Sequence, residues 1–130
     1  MFKSMTTNLM VENVEASVGF YRDTIGFAMV DSVPNKQGGL QFAILVRDGL
    51  TLMVQERTNL IEEYPILVTD RVYPSVSLFI RVDGFGALYA DLRTKCKVVA
   101  EPHTTFYGTH EFAVADVDGY VITFAESGDK

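Results

Sequence analysis

The residues with chemistry to offer gather near the end of the chain, where His103 and His110 flank the aromatic pair Phe106-Tyr107 and Glu111 follows directly. An imidazole beside a carboxylate is the usual beginning of a proton-transfer or metal site. On a strand, however, successive side chains leave opposite faces, so His110 and Glu111 cannot grip one ion as neighbours. His110 then falls with Phe112 and Val114 as a histidine at the rim, while His103 sits in a loop over residues 102–107. Glu111 shares a face with Ala113, where a carboxylate withdrawn from water must meet a donor or a cation. Arg81 is the internal partner that strand parity offers, and a cationic ligand is the other. Cys96, the single cysteine, forms no internal disulfide and completes no zinc pattern. The sequence contains no Gly-rich phosphate loop, nucleophile elbow or His-x-Glu zinc motif.

Glu111 belongs to a hairpin pattern over residues 108–126, with Asp118-Gly119 supplying the turn and Phe112, Val114, Ile122 and Phe124 alternating on its arms. The pattern occurs twice. Phe42-Ala43, Asp48-Gly49 and Glu56 recur seventy places on as Phe112-Ala113, Asp118-Gly119 and Glu126, and Val11, Ala16 and Arg22 recur seventy-one places on as Val82, Ala87 and Arg93. A repeat agreeing over two separate segments implies one structural unit used twice. Each unit reads as strand, helix and three strands. The first strand covers residues 2–11; Asn13 caps a helix whose apolar stripe is Val14, Val18, Tyr21 and Ile25, and Gly26 stops it. In the second unit a cleanly alternating strand over 75–82 precedes a helix with Phe85, Leu88, Tyr89 and Leu92 on one face. Residues 57–74 lie outside the repeat and read as an irregular joint, the natural hinge for exchanging a module between subunits.

Helices cover one face of each sheet, and the other face carries Thr6, Met10, Met53, Gln55, Ser77, Phe79, Arg81, Glu111 and Thr123. That mixture of polar, aromatic and sulfur side chains suits a pocket wall better than a packed core. Phe42, Phe79, Phe106 and Tyr107 could present flat faces to a planar ligand. The candidate ligand-binding residues are therefore Thr6, Phe42, Met53, Gln55, Ser77, Phe79, Arg81, Tyr107, Glu111 and Thr123.

With 48% apolar and 22% charged residues the composition is that of a folded domain, and the net charge of −6 leaves neither half basic. Nucleic acid is therefore not an expected partner, since binding phosphates takes clustered Lys and Arg. No segment approaches the ~18 apolar residues of a membrane span, and no signal-peptide pattern opens the sequence. The expected setting is the cytoplasm, without a membrane partner.

The stretches Val11-Glu-Asn-Val-Glu-Ala-Ser-Val-Gly-Phe-Tyr-Arg-Asp-Thr-Ile-Gly-Phe27 and Asp116-Val-Asp-Gly-Tyr-Val-Ile-Thr-Phe-Ala-Glu126 resemble the paired signatures of the vicinal oxygen chelate superfamily, which includes glyoxalase I, extradiol dioxygenases, fosfomycin-resistance enzymes and bleomycin-resistance proteins. The resemblance implies an α+β fold in which two tandem βαβββ modules form a curved half-barrel sheet with a cleft, helices outside. It implies a single domain over residues 1–130, with module 1 at about 1–56, the joint at about 57–74 and module 2 at about 75–127. A homodimer is expected, because each module leaves sheet edges and one sheet face uncovered.

In the superfamily's metal enzymes the ligands come from strand positions that match Thr6, Met53, Ser77 and Thr123 here. Two threonines, a serine and a methionine are not the imidazole and carboxylate donors that a divalent ion takes. No metal and no cofactor are therefore expected. The run Tyr107-Gly-Thr-His-Glu-Phe-Ala113 is similar to one in the bleomycin-resistance branch, although Trp, prominent in that branch's groove, is absent. The resemblance implies a small-molecule-binding protein that sequesters an aromatic or cationic compound without chemistry. The alternative is a divalent-metal-dependent lyase, isomerase or dioxygenase that recruits His103, His110 or Glu111 at new positions.

Overall fold

Eight strands and three α-helices alternate along residues 1–128, the part of the chain described by the structure, a computed structural model. The order begins with β1 (Thr7–Val11), α1 (Val14–Asp23), β2 (Ala28–Pro34), β3 (Leu40–Arg47), β4 (Leu50–Glu56) and α2 (Arg57–Glu63), then a 3-10 turn at Pro65–Leu67. It continues with β5 (Ser77–Arg81), α3 (Phe85–Leu92), β6 (Val98–Thr104), β7 (Thr109–Ala115) and β8 (Val121–Ser127). Two four-stranded mixed sheets result, ordered β1-β4-β3-β2 and β5-β8-β7-β6. The repeat seen in the sequence is thus a repeat of topology, an α+β fold of two tandem βαβββ modules whose sheets do not close. The chain divides into two compact units, residues 1–73 and those from Pro74 onward.

In each unit a first strand runs parallel to the last, because a helix carries the chain across, and two hairpins supply the antiparallel pairs. Asn13 caps α1 as its spacing predicts, its Oδ1 accepting from Ala16 N at 2.8 Å. Val14, Val18 and Tyr21 of the helix are buried with Leu9, Val11, Ala43, Leu45, Leu52 and Val54, the inner face of the first sheet. The second core is more aromatic: Phe112 lies 5.3 Å from the Phe85 ring, 5.2 Å from Tyr89 and 5.2 Å from Phe124.

Asp-Gly makes two different turns. In the first hairpin Arg47 pairs with Leu50, so Asp48 (φ 51°) and Gly49 (φ 79°) are the whole loop, both left-handed as a two-residue hairpin requires. In the second, the last pair is Ala115 with Val121, and the loop spans residues 116–120. There the buried Asp116 carboxylate accepts from Asp118 N at 3.0 Å and Tyr120 N at 2.9 Å, holding a wider turn in which only Gly119 has positive φ.

Three sequence expectations change, the first being that the opening strand, expected over residues 2–11, begins only at Thr7. The joint over 57–74 is not irregular at its start: residues 57–63 form α2 and bury Leu60, and the helix ends where Tyr64 precedes Pro65 and is pushed to φ −129°. Residues 102–104 belong to β6, so the expected loop over 102–107 shrinks to the turn that follows Thr104. Among the described residues no helix is long and apolar enough to cross a membrane.

Candidate functional site

On the face of the first sheet turned away from α1, β-pairing sets Asn8 beside Met53, Met10 beside Gln55, and Phe42 opposite Gln55. Gln55 was expected on an open wall, yet only 6% of it is exposed, because α2 folds over the end of β4. Its amide is engaged at both ends, with both N–H protons used. Gln55 Oε1 accepts from Asn8 Nδ2 at 2.9 Å, while Nε2 donates to Asn59 Oδ1 at 2.7 Å and Glu63 Oε1 at 3.0 Å. Around this latch lies a cavity of about 600 Å³, bounded by Phe42 and Val33 on the sheet and by Asn59, Glu62, Glu63 and Tyr64 on α2 and just beyond it. Two predicted residues, Phe42 and Gln55, meet there. Met53 shares their face without lining the cavity, and Thr6 precedes β1.

In the second sheet the open face holds Ser77, Phe79 and Arg81 of β5, all exposed, with Thr123 between Phe79 and Ala113. Glu111 lies on this face as expected, but it is buried, with 7% exposed. Its partner is not Arg81, from which β8 separates it. Instead Glu111 Oε2 accepts from Tyr107 Oη and Thr109 Oγ1, both at 2.8 Å. The turn before β7 brings these hydroxyls round: Thr105 N donates to Thr109 O at 2.8 Å, and Thr109 N donates to Thr105 Oγ1 at 3.1 Å. Hydrogen bonding to the Glu111 carboxylate, with burial adding to it, pushes the Tyr107 phenol above its ordinary pKa.

His110 stands at the rim on the α3 side, 6.2 Å from the Phe85 ring and 3.0 Å through Nδ1 from Thr104 Oγ1. His103 pairs in register with Glu111, and its Nδ1 lies 2.8 Å from Glu101 O. Among the described residues no three His, Cys, Asp or Glu side chains come together as metal donors. The four positions matched to metal ligands offer three hydroxyls and a thioether, a set that does not fit a divalent ion.

Asn8, Val33, Gln41, Asn59, Glu62, Glu63 and Tyr64 line the cavity and were missed as site residues. Asn8 was legible, since it alternates with Thr6 and Met10. Asn59, Glu62, Glu63 and Tyr64 depended on α2, for which seven residues with one buried apolar side chain give little periodicity.

The profile of the Glyoxalase/Bleomycin resistance protein/Dioxygenase superfamily matches residues 4–124. No curated protein matches the sequence. Among solved structures, a glyoxalase/bleomycin resistance protein/dioxygenase from Nocardioides superposes with a TM-score of 0.82 at 15% identity, covering 99% of this chain and 86% of that one. A glyoxalase-related enzyme from Fulvimarina pelagi gives 0.78 at 23% identity over 98% and 89%. An antibiotic-binding protein from Streptomyces gives 0.72 at 19% identity over 98% and 97%. At these identities the likeness is one of fold. Nearly the whole chain is covered by the profile and carries two modules of the same topology, and it belongs to the glyoxalase/bleomycin resistance protein/dioxygenase superfamily.

Proposed function

We propose that this protein binds a small aromatic or cationic molecule and sequesters it without metal chemistry, in the manner of the superfamily's bleomycin-resistance branch. The observation that carries the reading is the cavity of about 600 Å³ on the first sheet, a size that suits a drug-like ligand, lined by two aromatic side chains, amides and two carboxylates. The donor chemistry of Thr6, Met53, Ser77 and Thr123 supports it. So does the fold shared with a protein described as antibiotic-binding. We take the working form to be a cytoplasmic homodimer with a small-molecule ligand and no nucleic-acid or membrane partner.

A panel of aromatic and cationic antibiotics tested by thermal shift, followed by calorimetry on the hits, checks the reading, because a ligand of the folded state raises apparent stability. The expected result is a stoichiometric complex from which the compound is recovered unchanged. Stoichiometric zinc, nickel, manganese or iron that survives dialysis, together with conversion of the bound compound, would favour the metal-dependent enzyme instead.

A further inference from the structure

We infer that the first module's cavity reads a neutral lactam-like edge, an N–H and a C=O side by side, through the free ends of the Asn8 and Asn59 amides. This rests on the small-molecule-binding reading and names the hydrogen-bonding groups, rather than the charge, by which a ligand is recognised. The free ends follow from the hydrogen bonds already present. An ionised carboxylate only accepts, so the 3.0 Å contact with Glu63 Oε1 fixes which end of the buried Gln55 amide is Nε2. That polarity passes to both neighbours. The other Nε2 proton must be met by Asn59 Oδ1, at 2.7 Å, and Gln55 Oε1 must be met by Asn8 Nδ2, at 2.9 Å. Asn59 is left with donors, on Nδ2, and Asn8 with its acceptor Oδ1 and one Nδ2 proton; Asn8 Oδ1 and Asn59 Nδ2 make no hydrogen bond to a described residue. Gln55 is the positioning residue, and the two asparagines are the readers.

Asn8 and Asn59 line the same cavity and grip opposite ends of one amide group. A ligand that brings a C=O to Asn59 Nδ2 and an N–H to Asn8 Oδ1 satisfies both without turning either. Groups already fixed in orientation lose little freedom on binding, which favours such a ligand over one that must reorder the wall. The repeat supplies a comparison within the chain. Gln55 pairs with Met10 across β1, whereas the equivalent place in the second module, opposite Arg81, holds Ala125. An alanine orients no neighbouring amide, and among the described residues no helix follows β8 as α2 follows β4. The device is confined to the first module.

Calorimetric titration of the full chain with oxindole, 2-indanone and indoline, all neutral near neutral pH, varies the polar edge on a nearly constant body. Oxindole carries both the N–H and the C=O, 2-indanone lacks the N–H, and indoline lacks the C=O. Oxindole is expected to bind about three- to tenfold tighter than either, the worth of one further neutral hydrogen bond. Raised salt should leave that lead in place, because no charge is read. Asn59→Asp keeps the oxygen that meets Gln55 and puts an acceptor where the free donor stood, so oxindole should lose its lead over indoline. Denaturation of the same sample shows whether the variant is folded, and the comparison on the unaltered chain decides the matter if it is not. Oxindole binding no tighter than one of the other two, or a lead that survives in folded Asn59→Asp, would overturn the inference and leave small-molecule binding standing. So would antibiotic hits from the panel with no binding of oxindole. If neither the probes nor the panel binds, both readings fail.

Discussion

Glu111 is a carboxylate that takes its hydrogen bonds from its own neighbourhood. Two hydroxyls, from Tyr107 and Thr109, donate to the same oxygen, and burial makes both bonds count for more than they would at the surface. The same contact holds the Tyr107 phenol above its ordinary pKa, so the hydroxyl stays protonated and remains a donor well into alkaline solution. Glu111→Gln replaces a charged acceptor with a neutral one and places an amide where only donors approach. It is expected to cost about 1 to 3 kcal/mol in chemical denaturation, the cost of disturbing a buried hydrogen-bonded group. An unchanged midpoint would mean that the two hydroxyls do not depend on the charge.

At the scale of elements, the helix that shapes the cavity is anchored a second time, at its first residue, by Glu12 just past β1. Glu12 Oε2 accepts from Val72 N at 2.7 Å and Oε1 from Arg57 Nε at 3.0 Å, while Arg57 Nη1 donates to Thr69 O at 3.1 Å. The first residue of α2 and the far end of the joint are thereby tied to the same point. These bonds, that from Val72 first, hold the Glu12 carboxyl below its usual 4.5. Between the folded value and 4.5 the unfolded chain binds more protons, so stability rises with pH there. The contribution is complete above the ordinary value and is lost as pH falls through the folded one. Glu12→Gln is expected to cost about 1 kcal/mol near neutral pH, a charge-assisted bond discounted for a partly exposed carboxylate. The gap between wild type and variant should close on acidification, and denaturation curves followed from about pH 7 to pH 3 test it.

For the molecule as a whole, the assembly is the expectation that awaits a measurement. Phe2 and Met5 are fully exposed in the arm before β1, and so are Ile66 in the joint and Phe106 in the turn before β7. Within the first sheet β1 and β2 are edges, as β5 and β6 are within the second. Apolar side chains and open edges of this kind are what association covers. A homodimer is therefore expected in native mass spectrometry. A mass that stays at 14.5 kDa up to high protein concentration would count against it.

The sequence by itself determined what is local or repeated. The duplicated pattern predicts the two modules, Asn13 the helix cap, and the alternation at Phe112, Val114, Ile122 and Phe124 the buried face of the second hairpin, because each follows from backbone periodicity and near-neighbour hydrogen bonds. The chain also showed which faces would be open. Only the tertiary structure decided what closes over them. Gln55 is buried because a short helix, weakly signalled in its own residues, folds over it and accepts from it through Asn59 and Glu63, while Asn8 donates to it from a strand 47 residues away in sequence. Glu111 turned to Tyr107 and Thr109, rather than to Arg81, because the turn before β7 folds back while β8 stands between the carboxylate and the arginine. Side-chain polar groups choose partners by proximity in the folded state, and strand parity gives the face without giving the neighbour.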